Sequence, residues 1–118
     1  LSFSIMAMDK PPTDAAIWLV RSTFARKDEA LSVAAVLLEE KLVACANISE
    51  PMTSLYHWEG LLQQEQEVAL LLKTGALRVA AVISRIKSLH SFQIPSIIAW
   101  PAAQAESGFV AWVTEEVA

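Results

Sequence analysis

Three glycines in 118 residues leave nothing from which to build a phosphate-cradling loop, and neither a G-x-S-x-G elbow nor an H-E-x-x-H pair occurs. The chain therefore reads as no enzyme. Its one cysteine, Cys45, excludes an internal disulfide and fits a reducing cytosol, although a secreted protein without disulfides would look the same; of the two, a cytoplasmic protein is the expectation. One cysteine and two histidines form no closely spaced ligand set such as C-x-x-C or H-x-x-x-H. Long apolar runs are also missing. The stretch from Ala15 to Val20 ends at Arg21, far short of the roughly 20 residues a membrane helix needs, so no membrane insertion by this chain is expected. Nine Lys and Arg are scattered along a chain of net charge -4, which argues against nucleic acid as a partner.

What the chain does have is apolar content. At 54% hydrophobic residues it exceeds the roughly 45–50% usual for soluble domains, in a length that holds one domain. Either a tightly packed, alanine-rich core or a subunit interface accounts for the excess. Residues 1–14 carry Met6, Met8, Pro11 and Pro12 without a sustained period and read as a disordered or tag-like tail, leaving 15–118 as the single domain.

The segment Thr53-Ser54-Leu55-Tyr56-His57-Trp58-Glu59-Gly60 has the β-branched and aromatic content of a strand, and Val68 to Thr74 reads as a second one. The polar stretch Gln63-Gln64-Glu65-Gln66-Glu67 reads as the turn of a long hairpin between them. With period-two alternation Tyr56 and Trp58 share a face, which a small domain has little surface to cover. A second copy of the chain is the natural cover. Glu59 reads as a hairpin-end carboxylate in solvent and Gly60 as a turn or bulge residue.

Around this hairpin the order of elements is regular. Ala16 to Phe24 begins as a continuous apolar run, as expected of a central strand buried on both faces. A helix over 26–42 follows, with Ala30, Val33, Ala34 and Leu37 as its apolar stripe, widened by Leu31 and Leu38, and Lys41 in its last turn. Val43 to Ile48 is a short strand, and Gly75 opens a helix over 76–89 with Val79, Val82, Ile83 and Ile86 inward. Ile97 to Trp100 is a strand stopped at Pro101, and 108–117 forms a last helix with Phe109, Val113 and Trp112 inward. Two strand–helix–strand units in succession predict an α+β, ferredoxin-like βαββαβ sandwich with an antiparallel sheet and an extra C-terminal helix. An acylphosphatase-type anion loop would need glycines near the first strand, and Ser22-Thr23-Phe24-Ala25-Arg26 does not supply them.

Four segments, in order, carry a family resemblance: 38–48 (Leu38-Glu39-Glu40-Lys41-Leu42-Val43-Ala44-Cys45-Ala46-Asn47-Ile48), 54–60, 71–74 and 94–101 (Ile94-Pro95-Ser96-Ile97-Ile98-Ala99-Trp100-Pro101). On these the chain resembles the CutA divalent-cation-tolerance family from Ile17 to Val117. The resemblance implies a PII-like homotrimer whose long hairpins pair with neighbouring subunits. It also implies a part in tolerance of divalent metal ions, copper among them, or, as in animal relatives, in anchoring or processing a cholinesterase. The alternative to metal or small-ligand binding at intersubunit clefts is a metal-independent trimeric scaffold.

By carry-over, Tyr56, Trp58, His90 and Phe92 are candidates for a ligand-binding intersubunit cleft, against the plainer reading as interface core. Cys45 and His90 are the candidate ligands for copper or another divalent cation. The plainer readings are a small buried hydrophobe for Cys45 and a helix C-terminal cap for His90. His57 reads as a solvated strand residue. Family members typically read His-Pro-Tyr-Glu where this chain reads His90-Ser91-Phe92-Gln93, so an anionic oxygen is replaced by an amide and a phenol hydroxyl is lost.

Overall fold

The computed structural model describes residues 15–118, and the expectation for 1–14 lies outside the described residues. The elements are β1 (Ile17–Phe24), α1 (Lys27–Glu39), β2 (Cys45–Ile48), β3 (Met52–Trp58), β4 (Leu61–Gly75), a 3-10 turn (Ala76–Arg78), α2 (Val79–Leu89), β5 (Ile97–Pro101) and α3 (Ser107–Glu116). The sheet runs β2-β4-β1-β5 with every pairing antiparallel. That is the ferredoxin-like order predicted from the sequence, with β3 added as an arm on the front half of β4.

Parity sorts the sheet into two faces. Val20, Ser22 and Phe24 of β1 lie in register with Leu72, Leu70 and Val68 of β4, and all six are buried. Against them pack Ala30, Val33, Ala34 and Leu37 of α1 and Val82 and Ile86 of α2. The stripe read from the sequence is thus the buried one, but Leu31 and Leu38, read as widening it, are exposed. The other face, with Leu19, Arg21, Leu71, Ile98 and Trp100, is only half covered: Ile98 is 56% and Trp100 39% exposed. β1 is therefore not buried on both faces along its length: on the second face Leu19 and Arg21 stay half-buried between the buried Ile17 and Thr23. At one end α3 closes a second, smaller core of Ile17, Ala44, Val113 and Val117. Phe109 packs against it, whereas Trp112, expected inward, is exposed. Glu106 caps α3: its carboxylate accepts bonds from the Gly108 and Phe109 N–H groups, which hold its carboxyl below the ordinary range.

The second strand starts at Cys45 rather than Val43, and 76–78 is a 3-10 turn ahead of α2; two larger differences each have a local reason. α1 ends at Glu39, because Lys41 turns left-handed (φ 58°), and its N–H and that of Leu42 bond back to the carbonyls of Leu38 and Leu37. This is a Schellman exit, with lysine where glycine is usual. The polar stretch from Gln63 to Glu67 is strand, not turn. The chain reverses at Glu59-Gly60, where both residues have positive φ (52° and 79°), the signature of a two-residue hairpin loop whose twist matches its strands. A ribbon flanked by water or a partner needs no apolar face of its own, so its polarity resembles a loop's.

Between β2 and β3 the ladder carries a bulge. Ile48 pairs with Leu70 and Met52 with Glu67, so residues 49–51 face only 68 and 69. The Ser49 hydroxyl accepts from the Ala69 N–H at 2.8 Å and spans the gap, and Pro51 has no N–H to leave unpaired. The bulge marks where the sheet ends and the arm begins.

Candidate functional site

The arm, the uncovered sheet face and the loop after α2 enclose a cleft of about 810 Å3. β3 turns Met52, Ser54, Tyr56 and Trp58 to one side, as period-two alternation requires, and all four line the cleft. Phe92 comes to it from the loop, with Ser91, Gln93, Ile94 and Ser96, while Arg21 and Thr23 of β1 form its floor. Tyr56 and Trp58 remain 40% and 41% exposed, so one chain only partly covers them. Burial raises the Tyr56 hydroxyl above the usual phenol range, and the carboxylates of Glu65 and Glu67 add to the rise.

His90 stands behind this wall. Its ring stacks on Phe24 (centroids 4.2 Å apart, planes 12° apart) and lies 4.8 Å from the Phe92 ring. Nε2 is 2.8 Å from the Thr23 carbonyl oxygen, and Nδ1 accepts the Phe92 N–H at 3.1 Å. The two bonds together require the tautomer with its proton on Nε2. Both ring nitrogens are thereby engaged, and the ring does not cap its own helix: it fixes the start of the loop. Glu29 of α1 secures the next residue, accepting from the Ser91 N–H at 2.9 Å and the Ser91 hydroxyl at 3.0 Å.

Of the four cleft candidates, the fold brings Tyr56, Trp58 and Phe92 together and sets His90 behind Phe92. The paired metal candidates are not brought together. Cys45 is a half-buried free thiol opposite Lys73 on β2, and β4 separates β2 from β1, on which His90 packs. Two strand spacings put those strands roughly 10 Å apart. Among the described residues no group of three His, Cys, Asp or Glu side chains is placed to hold a metal ion. Within one chain the described residues do not fit a metal centre. Gln93 lines the cleft as a neutral amide, and His57 is exposed on the opposite face of the arm.

The sequence reading missed Arg21, Thr23 and Glu67 as cleft residues. A signal for Arg21 was present: it is the one charged residue of β1, at odd parity against Val20, Ser22 and Phe24.

Fold and cleft define a small ferredoxin-like domain with an arm and one half-covered sheet face. The family model for the CutA1 divalent ion tolerance protein matches residues 18–116. The chain is 35% identical over 106 residues to the divalent-cation tolerance protein CutA of Escherichia coli (strain K12 / DH10B), covering 90% of this chain and 95% of that protein. The crystal structure of CutA1 from Ehrlichia chaffeensis superposes with a TM-score of 0.84 at 34% identity, over 88% of this chain and 97% of that one. The periplasmic divalent cation tolerance protein CutA from Archaeoglobus fulgidus gives 0.83 at 34%, over 86% and 99%. The chain belongs to the CutA1 divalent ion tolerance family. Among its described residues, no helix is long and apolar enough to cross a membrane.

Proposed function

We propose that this protein is a non-catalytic homotrimer of the cytosol that serves divalent-cation tolerance by binding a small ligand in the cleft, which a neighbouring subunit closes. The observation that carries this reading is the cleft itself: three aromatic side chains converge on a concavity that one chain leaves open. The arm, with Leu55, Tyr56, Trp58, Leu61 and Leu62 exposed, and Ile98 and Trp100 on the bare sheet face, present more apolar surface than a lone subunit of this size keeps in water. A second copy is the cover that satisfies both. The relatives' names supply the link to divalent cations. A copper or other divalent ion would depend on assembly, with Cys45 thiolates gathered around a threefold axis.

The surroundings of His90, one of the two candidate metal ligands, favour a second reading. With both ring nitrogens bonded and the family's acid replaced by Gln93, a trimeric scaffold that holds no metal is the rival. Native mass spectrometry during titration with Cu(II) and Zn(II) separates the two. A trimer that takes up metal saturably, in units of one or three, supports a direct metal role. A trimer metal-free well above micromolar metal moves the function to the small ligand or to a protein partner, and a monomer refutes the assembly.

A further inference from the structure

The sheet and the arm carry opposite charge. In β1, β2, β5 and residues 68–75 of β4 there is no aspartate or glutamate, and the two cations are Arg21 and Lys73. From Met52 to Glu67 the arm holds Glu59, Glu65 and Glu67 and neither lysine nor arginine. Cross-strand partners share a face, so Glu67 opposite Met52 and Glu65 opposite Ser54 lie on the aromatic side of the arm, with Tyr56 and Trp58. Arg21, opposite Leu71 on one side and Ile98 on the other, lies on the half-covered sheet face, and both Arg21 and Glu67 line the cleft. The surface thus has an acidic end, an apolar middle and a basic end.

Neither end is neutralised by its own chain. Arg21 and Glu67 are both half-buried, and among the described residues neither forms an ion pair or a side-chain hydrogen bond. Glu67 is four residues along β4 from Leu71, the partner of Arg21, so strand rise sets their backbones roughly 14 Å apart. Lys73 reaches only the neutral amide oxygen of Asn47. Desolvating an unpaired charge is costly, so whatever covers this face must bring a counter-charge to each end. A second copy laid head to tail brings both: its acidic arm meets the basic end, and its own basic end is left for the next copy, a contact that repeats round a ring. Its apolar middle also matches Tyr56, Trp58, Ile98 and Trp100, all of which stay exposed in one chain.

We infer that Arg21 is neutralised in the assembly by Glu67 of the partner subunit, and that this pair fixes the head-to-tail direction in which copies join. Glu65 and Lys73, each two residues further from the pair along β4 or its partner strand, add charge of the matching sign at either end and steer the approach. This inference rests on the reading that a neighbouring subunit covers the cleft, and adds which groups meet there.

The test is sedimentation velocity of the full chain and of two charge reversals, Arg21→Glu and Glu67→Arg. Each reversal alone sets like charges against each other and should weaken association at least about tenfold, with the far-ultraviolet circular dichroism unchanged. Mixed in equal amounts, with one of them fluorescently labelled, the two variants should associate with each other, because each carries the charge the other lacks. The mixture is the deciding arm, since a pair formed within one chain is not restored by mixing. Reversals that assemble as the unaltered protein does, or a mixture that associates no better than its components, overturn the inference and leave the covered cleft standing. An unaltered protein that stays monomeric removes the covering reading itself, and the inference with it. Should a reversal fail to fold, the neutral pair Arg21→Gln and Glu67→Gln decides: the double variant should associate no more weakly than the weaker single one, and additive losses overturn the inference.

Discussion

The single strand β4 passes through two environments. From Val68 to Thr74 it pairs with β1, over Leu70 to Lys73 with β2 as well, and Val68, Leu70, Leu72 and Thr74 are buried. From Leu61 to Glu67 it is paired only to β3, and none of its side chains is buried. The back half has a ladder on each edge and the front half on one edge only, so pairing and burial together separate them. The back half is stabilised by its own chain, while the front half, a two-stranded ribbon, is the kind of element that needs packing from elsewhere to be stable.

The largest expected contrast comes from truncating each half. Leu72→Ala opens a cavity in a fully buried site and should lower the free energy of unfolding by about 2–5 kcal/mol. Gln64→Ala, on the exposed outer side of the arm, should change it by no more than about 0.5 kcal/mol. Denaturant titrations followed by circular dichroism compare the two directly. Equal losses would erase the distinction between the halves.

Trp58→Ala sharpens the comparison at the level of assembly. If a neighbouring subunit covers the arm, removing this half-exposed indole should weaken association by about 2 kcal/mol or more, while the isolated subunit keeps its far-ultraviolet spectrum. Sedimentation over a concentration series reads the association step. An unchanged oligomer and thermal midpoint would show that Trp58 anchors no interface, and the exposed apolar side of the arm would then need another explanation.

The back half was legible in the sequence and the front half only in part. In α1 burial follows a simple period, so the stripe of Ala30, Val33, Ala34 and Leu37 could be read directly, whereas β1 and the back of β4 are apolar runs that give a strand but not which face is buried. The front half offers no such period, because both faces of Gln63 to Glu67 are polar, and a polar stretch imitates a loop. Lys41 was misplaced because its exit from α1 depends on left-handed backbone geometry that lysine does not advertise. Tyr56, Trp58 and Phe92, which line the cleft, were singled out by carry-over from the family resemblance. Arg21 and Glu67 were missed because their meaning comes from register across three strands. His90 was singled out rightly as unusual, but its role as the strut behind Phe92 rests on a carbonyl 67 residues earlier, which no local pattern reports.

The smallest effect belongs to an exception on the well-buried face. Ser22 lies between Val20 and Phe24 with no exposed surface, and its hydroxyl has no hydrogen-bond partner among the described residues. Most buried polar groups are paired, and an unpaired one carries its desolvation cost without return. Ser22→Ala removes that hydroxyl and loses no bond, but leaves a void of one oxygen atom, which costs some dispersion contact. The balance should be a gain of up to about 1 kcal/mol, read as a higher denaturant midpoint with an unchanged slope. A loss instead would show that the hydroxyl is held by a buried water or a relaxed backbone carbonyl. The covered face would then contain a polar contact that its burial pattern conceals, and the contrast between the two halves of β4 would be one of degree.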